Sequence, residues 1–144
     1  MKARIEWIEG RVFLGTSNSG HGIVIAAPNP TGPAPGAVTI APSPMEYVLL
    51  GTGGCTATDV VMILEKGRHD VRGVEVTLDA DRPAEDPKVF TKIRFHFKIT
   101  GKGLKPDVVD RAIKLSAEKY CSASIMLARG GTEITHDFEI VEAD

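Results

Sequence analysis

Two thiols, Cys55 and Cys121, are the side chains of this 144-residue chain best suited to covalent chemistry, and they are its only cysteines. A thiolate attacks an O–O or S–S bond, and the oxidised sulfur passes through a sulfenic acid that a second thiol can convert to a disulfide. The two lie 66 positions apart (121 − 55), so only the fold can bring them together. Each also has a plain structural reading as a small buried hydrophobe. Cys55 sits more than two turns inside an expected helix, out of reach of that helix's own dipole, and needs another group to lower its pKa. Cys121 falls at the expected start of a short helix, a position that favours its thiolate.

The other reactive types point to less. His21, His69, His96 and His136 are scattered with no i, i+4 pair, so no metal set is expected, and no motif calls for a cofactor. His136 falls on the apolar face of a strand, where a hydrogen-bonded core histidine is expected. Ser43 has no acid–base partner and reads as a helix cap. Gly51, Gly53 and Gly54 lie inside a helix with no strand–Gly–helix order around them, so they are not a phosphate loop.

The elements that must position the thiols follow from periodicity and punctuation. Three short strands are expected first, around Ala3–Ile8, Arg11–Gly15 and Gly22–Ala26, separated by Glu9-Gly10 and by Thr16–Gly20. Six of the nine prolines then fall between residues 28 and 44, which excludes helix interior and central strand there. Ser43-Pro44-Met45-Glu46 is a capping box with proline at N1, so a long helix should run from Pro44 to about Lys66, with Gly67 as its C′ residue. Apolar residues nearly surround that helix, which predicts burial. Its three mid-helix glycines each cost about 1 kcal/mol against alanine. They make sense if another backbone approaches, most economically the same helix of a second copy.

Next, Val74, Val76, Leu78 and Ala80 alternate with acidic residues and threonine. After Arg82–Pro87, the side chains Val89, Ile93, Phe95, Phe97 and Ile99 alternate with basic ones. Opposite-sign outer faces suit an antiparallel hairpin. A helix starts at Pro106, breaks near Tyr120-Cys121-Ser122 with Ser122 or Ser124 as cap, and resumes to about Arg129. A last strand covers about Thr132 to Glu142. The order is β-β-β-α-β-β-α-α-β, an α+β class in a single domain over 1–144.

Composition bounds the rest. A formal net charge of −2 offers no basic excess for nucleic acid or for a membrane surface. No apolar run approaches the roughly 18 residues that span a bilayer, and the first residues carry alternating charge without an apolar core of a signal peptide. Two cysteines are too few for a disulfide scaffold, so a cytoplasmic protein with reduced thiols is expected.

Pro44-Met45-Glu46 followed by Gly53-Gly54-Cys55 in mid-helix, then a hairpin, a helix and Cys121, resembles the OsmC/Ohr family, closest to a branch with a Pro-Met-Glu…Gly-Gly-Cys helix. The resemblance implies a β(3)-α-β(2)-α(2)-β fold in an intertwined homodimer with a long central buried helix. It also implies thiol-dependent reduction of organic hydroperoxides, with Cys55 attacking, Cys121 resolving and an external dithiol restoring the pair. For the family's helper arginine the resemblance offers Arg4 and Arg11, of which Arg11, beside the Glu9-Gly10 turn, is better placed, and for its helper glutamate it offers Glu46 only with a one-residue shift. The residue directly after the helix-start proline is Met45, and Glu46 is one place later, about 100° around the helix. The alternative function within the resemblance is non-catalytic binding of a small apolar ligand in a crevice at the dimer interface, or redox sensing by disulfide formation.

Overall fold

The computed structural model describes residues 1–27 and 39–144, so the expectation for the proline-rich segment lies largely outside the described residues. The elements are β1 (Ala3–Glu9), β2 (Val12–Ser17), β3 (Gly22–Ala26), α1 (Pro44–Lys66), β4 (Asp70–Asp81), β5 (Lys92–Lys102), α2 (Pro106–Leu115), a π-helical turn (Ser116–Tyr120), α3 (Ser122–Arg129) and β6 (Glu133–Glu142). Strands and helices follow the expected order. The chain forms two compact units, Met1–Leu49 and Leu50–Asp144, and α1 starts in the first and continues into the second.

The first unit is an antiparallel meander, β1-β2-β3, with Trp7 opposite Phe13 and Phe13 opposite Ile25. The start of α1 is fixed as its sequence dictates. The Ser43 backbone N–H donates to the Glu46 carboxylate at 2.7 Å, and the Glu46 N–H donates to the Ser43 hydroxyl at 3.4 Å. This reciprocal box satisfies two donors that a helix start otherwise leaves open. Tyr47 ties the same turn to β3 by donating its hydroxyl hydrogen to the Val24 carbonyl at 2.6 Å.

The second unit is built on the sheet β4-β5-β6. Strand β5 is central, antiparallel to β4 and parallel to β6. The parallel return is possible because a long crossover of α2, the π turn and α3 separates the two strands. Inward residues of β5 make the core: Ile93, Phe95, Phe97 and Ile99 are at most 1% exposed. Burying each such side chain contributes about 1.5–3 kcal/mol. Val60 and Leu64 of α1 and Val109, Ala112 and Ile113 of α2 join them. On the outer face the expected cross-strand charge pairing is present, with Arg94 at 2.6 Å from Asp81 and 3.2 Å from Asp79. Exposed pairs of this kind contribute at most about 1 kcal/mol each.

Several expectations are corrected. Strand β4 runs from Asp70, four residues ahead of the expected alternation, which a register shift between Val71 and Gly73 interrupts. Strand β5 begins at Lys92, so Val89 lies outside it and is exposed. At the end of α1 the left-handed residue is Arg68 (φ 58°), not Gly67. The His69 N–H reaches the Leu64 carbonyl and the Arg68 N–H reaches that of Glu65, a Schellman closure with Arg68 as C′. Gly67 serves another purpose: a Cβ there would stand 2.7 Å from Cδ2 of His69.

Helix α1 is buried on one face only. Thr52, Gly53, Thr56, Val60 and Leu64 are buried at i, i+4 spacing, while Leu50 and Met62 are 61% exposed. Of the three glycines, Gly53 is explained within the chain, since a Cβ would lie 2.7 Å from Cδ1 of Leu78, whereas Gly51 and Gly54 have nothing within 4 Å of that position. By length and composition α1 is also long and apolar enough to cross a membrane. That corrects the expectation that no segment approaches spanning length.

His136 is the remaining departure. Its ring lies 5.1 Å from that of Phe95, and burial pushes its pKa down. Its Nε2 is buried and has no hydrogen-bond partner among the described residues, where a hydrogen-bonded histidine was expected. Period-2 patterning places a ring on a face but does not supply its partner.

Candidate active site

The fold brings the two cysteines together. The sulfurs of Cys55 and Cys121 and a carboxylate oxygen of Asp59 all lie within 4.8 Å of one another, and both thiols are free. Cys55 and Asp59 are one turn apart on α1, so they share a face. Cys121 comes from the break between the π turn and α3. There its backbone turns extended (φ −71°, ψ 94°) and its N–H donates to the Ser116 carbonyl at 2.8 Å.

The break occurs where expected, but the cap is neither Ser122 nor Ser124. Cys121 is itself the N-cap of α3, and its sulfur accepts from the Ser124 N–H at 3.4 Å. A thiol thus does what Ser, Thr, Asp or Asn usually does at this position. The Thr56 hydroxyl lies 3.1 Å from the same sulfur. Cys121 is completely buried and Cys55 half-buried, so the accessible sulfur is the one on α1.

The electrostatics separate the two. For Cys121, burial acts to raise the pKa, but hydrogen bonds from the Ser124 side chain, Thr56, the Ser124 N–H and Cys55 outweigh it and hold the thiol below its ordinary value. For Cys55, burial raises the pKa. The Ala123 N–H opposes this, while hydrogen bonding to Cys121 and the charges on Cys121 and Asp59 reinforce it. Both directions favour negative charge on Cys121 over Cys55. The groups that lower the Cys121 thiol are the Ser124 side chain and N–H at the start of α3 and the Thr56 hydroxyl on α1.

Sequence reasoning picked both cysteines but missed Thr56, Asp59, Ser116 and Ser124. Ser116 donates its hydroxyl hydrogen to Asp59 Oδ2 at 3.0 Å. The i, i+4 spacing of Cys55 and Asp59 was a legible signal for Asp59; the others depend on tertiary packing. Of the two proposed helpers, Glu46 is an exposed residue in the first turn of α1 with its carboxylate in the capping box. Its pKa is lowered, by the Ser43 backbone N–H first and the Ser43 hydroxyl second. Arg11 is exposed in the turn between β1 and β2, where its carbonyl accepts from the Ala27 N–H. Both belong to the first unit and the thiols to the second.

A strand–helix architecture with a mid-helix cysteine facing a second cysteine at a helix N-cap defines a recognisable class. The chain belongs to the OsmC-like protein family, whose profile matches residues 35–137. It is 49% identical to Protein YhfA of Escherichia coli K12 over 143 residues, covering 99% of this chain and all of that protein. Among solved structures, an OsmC-like protein from Mycoplasma pneumoniae superposes with TM-score 0.81 at 12% identity, covering 97% of this chain and 96% of that one. The organic hydroperoxide resistance protein OhrB of Bacillus subtilis superposes with TM-score 0.64 at 17% identity, covering 96% and 98%. At those identities the likeness is one of fold.

Proposed function

We propose that the chain reduces organic hydroperoxides or related oxidants through Cys55 and Cys121, in oxidative-stress defence. The observation that carries this reading is the thiol pair itself: two sulfurs within 4.8 Å of one another, one half-exposed and one buried among donors. Family membership and the likeness in fold to a hydroperoxide resistance protein support it.

The charge distribution suggests an order of events. The buried Cys121 thiolate accepts the proton of Cys55, and the Cys55 thiolate attacks the distal oxygen of the hydroperoxide. The O–O bond breaks, Cys55 becomes a sulfenic acid, and the leaving alkoxide takes the proton back from Cys121 to depart as an alcohol. Cys121, again a thiolate, attacks the Cys55 sulfur; hydroxide leaves, takes a proton from solvent and departs as water. An external dithiol then reduces the disulfide by exchange. Across the cycle one hydroperoxide is reduced to alcohol and water while one dithiol is oxidised.

Glu46 keeps its capping role in this reading. Arg11 is offered as a helper by the resemblance alone, since the N–H groups of α3 already serve the sulfurs. A homodimer is part of the proposal. The outer face of α1, with Leu50 and Met62 exposed and Gly51 and Gly54 open, is the surface a second copy covers, and an apolar crevice there holds the alkyl part of the oxidant.

Steady-state consumption of cumene hydroperoxide with excess dithiol tests the function. Wild type should turn over and Cys55→Ser should not, while Cys121→Ser without dithiol should consume one equivalent and stop at a sulfenic acid. Turnover by Cys55→Ser at the wild-type rate would refute it.

A further inference from the structure

Asp59 has no part in the redox cycle above, yet its carboxylate stands with the two sulfurs. We propose that Cys55, Asp59 and Cys121 form a three-ligand site for a thiophilic divalent cation of the zinc class, with a fourth position open on the half-exposed side of Cys55. The inference rests on the geometry of the site and not on the reduction of hydroperoxides.

The three ligand atoms already lie within 4.8 Å of one another. Tetrahedral zinc, with Zn–S of about 2.3 Å and Zn–O of about 2.0–2.2 Å, needs ligand atoms about 3.5–3.8 Å apart. The set combines a rigid i, i+4 pair on one helix with a third ligand from a separate element, so the fold and not a flexible loop spaces the donors. Two sulfurs and one carboxylate select zinc-like ions and disfavour magnesium and calcium, which take all-oxygen sites. Three protein ligands and an open fourth position are the coordination of a site that can exchange water for another ligand.

An outer shell is also present, and it is what a chance cluster lacks. The Ser116 hydroxyl holds Oδ2 of Asp59 at 3.0 Å, leaving the other carboxylate oxygen for the ion. The Thr56 hydroxyl and the Ser124 N–H fix the Cys121 sulfur. Ser116 also accepts the Cys121 N–H through its backbone carbonyl, so a single residue steadies two of the three ligands. Such partners fix ligand orientation, and losing one typically weakens a metal by about 10–100-fold.

An ion held this way ties up both sulfurs, so metal binding and disulfide formation exclude each other. The test uses reduced full-length protein titrated with Zn²⁺ by calorimetry, and with Co²⁺ followed by its thiolate charge-transfer band in the near ultraviolet. One ion per chain is expected, with the Co²⁺ band lost on oxidation to the disulfide and regained on reduction. Ser116→Ala should weaken binding by about 10–100-fold, and Asp59→Asn, which keeps the side-chain shape, at least as much. Saturating Mg²⁺ should not compete. Absence of one-to-one binding at micromolar Zn²⁺, equal binding by Asp59→Asn, or equal binding by the disulfide form would each overturn the site. No oxidant substrate enters these titrations, so their failure leaves hydroperoxide reduction standing, and the reverse holds equally.

Discussion

The Thr56 hydroxyl lies 3.1 Å from the Cys121 sulfur, a contact between residues 65 positions apart. Thr56 is also 3.1 Å from the Thr52 carbonyl. Its single proton can go to only one of them. When Cys121 is a thiolate the hydroxyl donates to sulfur; when Cys121 is a thiol the hydroxyl donates to Thr52 and accepts the S–H. Thr56 therefore responds to the charge on the buried sulfur.

Thr56→Val keeps the volume and removes that proton. A hydrogen bond to a charged acceptor contributes about 1.5–3 kcal/mol, so the pH at which the pair first ionises should rise by about one to two units. Disulfide formation at neutral pH should slow by about tenfold. The pH–rate profile of a single oxidation, followed by loss of free thiol, checks this; a profile superimposable on wild type would remove Thr56 from the chemistry.

Glu46 separates structure from catalysis. Its carboxylate completes a capping box, so Glu46→Ala should lower stability by about 0.5–1 kcal/mol while the rate of thiol oxidation stays at the wild-type value. Denaturant melts and stopped-flow oxidation read the two effects independently. Loss of rate with stability retained would return Glu46 to the chemistry.

Cap, proline, long helix, hairpin and helix break were all legible because each is written in local residue types at fixed spacing. What was not legible is tertiary. Alternation placed His136 on an inward face, but only the fold shows that its Nε2 meets no partner. Gly67 reads as a helix terminator by composition, yet the left-handed residue is Arg68, while a Cβ on Gly67 would meet the His69 ring. Within the site, the cysteines stood out by scarcity. Ser116 and Thr56 are common residue types whose role comes from an element folded back onto them.

His136 makes stability depend on pH. Burial lowers its folded pKa, while in the unfolded chain it titrates near about 6.5. As pH falls below that value the unfolded state takes up a proton that the native state resists, so stability is lost progressively from about pH 6.5 downward. His136→Phe should flatten that part of the curve, as measured by urea midpoints between neutral and mildly acidic pH. Unchanged slopes would mean another group titrates.

Gly101 tests the packing under the sheet. A Cβ there would collide with the Asp70 carbonyl oxygen and with Leu104. The backbone atom cannot step aside as a side-chain end can, so Gly101→Ala should destabilise by about 1–3 kcal/mol. Gly54→Ala, with open space at its Cβ position, should leave the folding of a single chain intact or strengthen it. Thermal melts of the two variants side by side make the comparison, and equal midpoints would contradict it.

Reduced protein given one equivalent of an organic hydroperoxide and quenched within seconds, then mapped by peptide mass spectrometry, tests the thiol pair most directly. The predicted product is one bond joining the Cys55 and Cys121 peptides of the same chain, two hydrogens lighter than the reduced pair, with one hydroperoxide consumed per chain. Separate peptides, with Cys55 left as a sulfenic acid and Cys121 still a thiol, would contradict it.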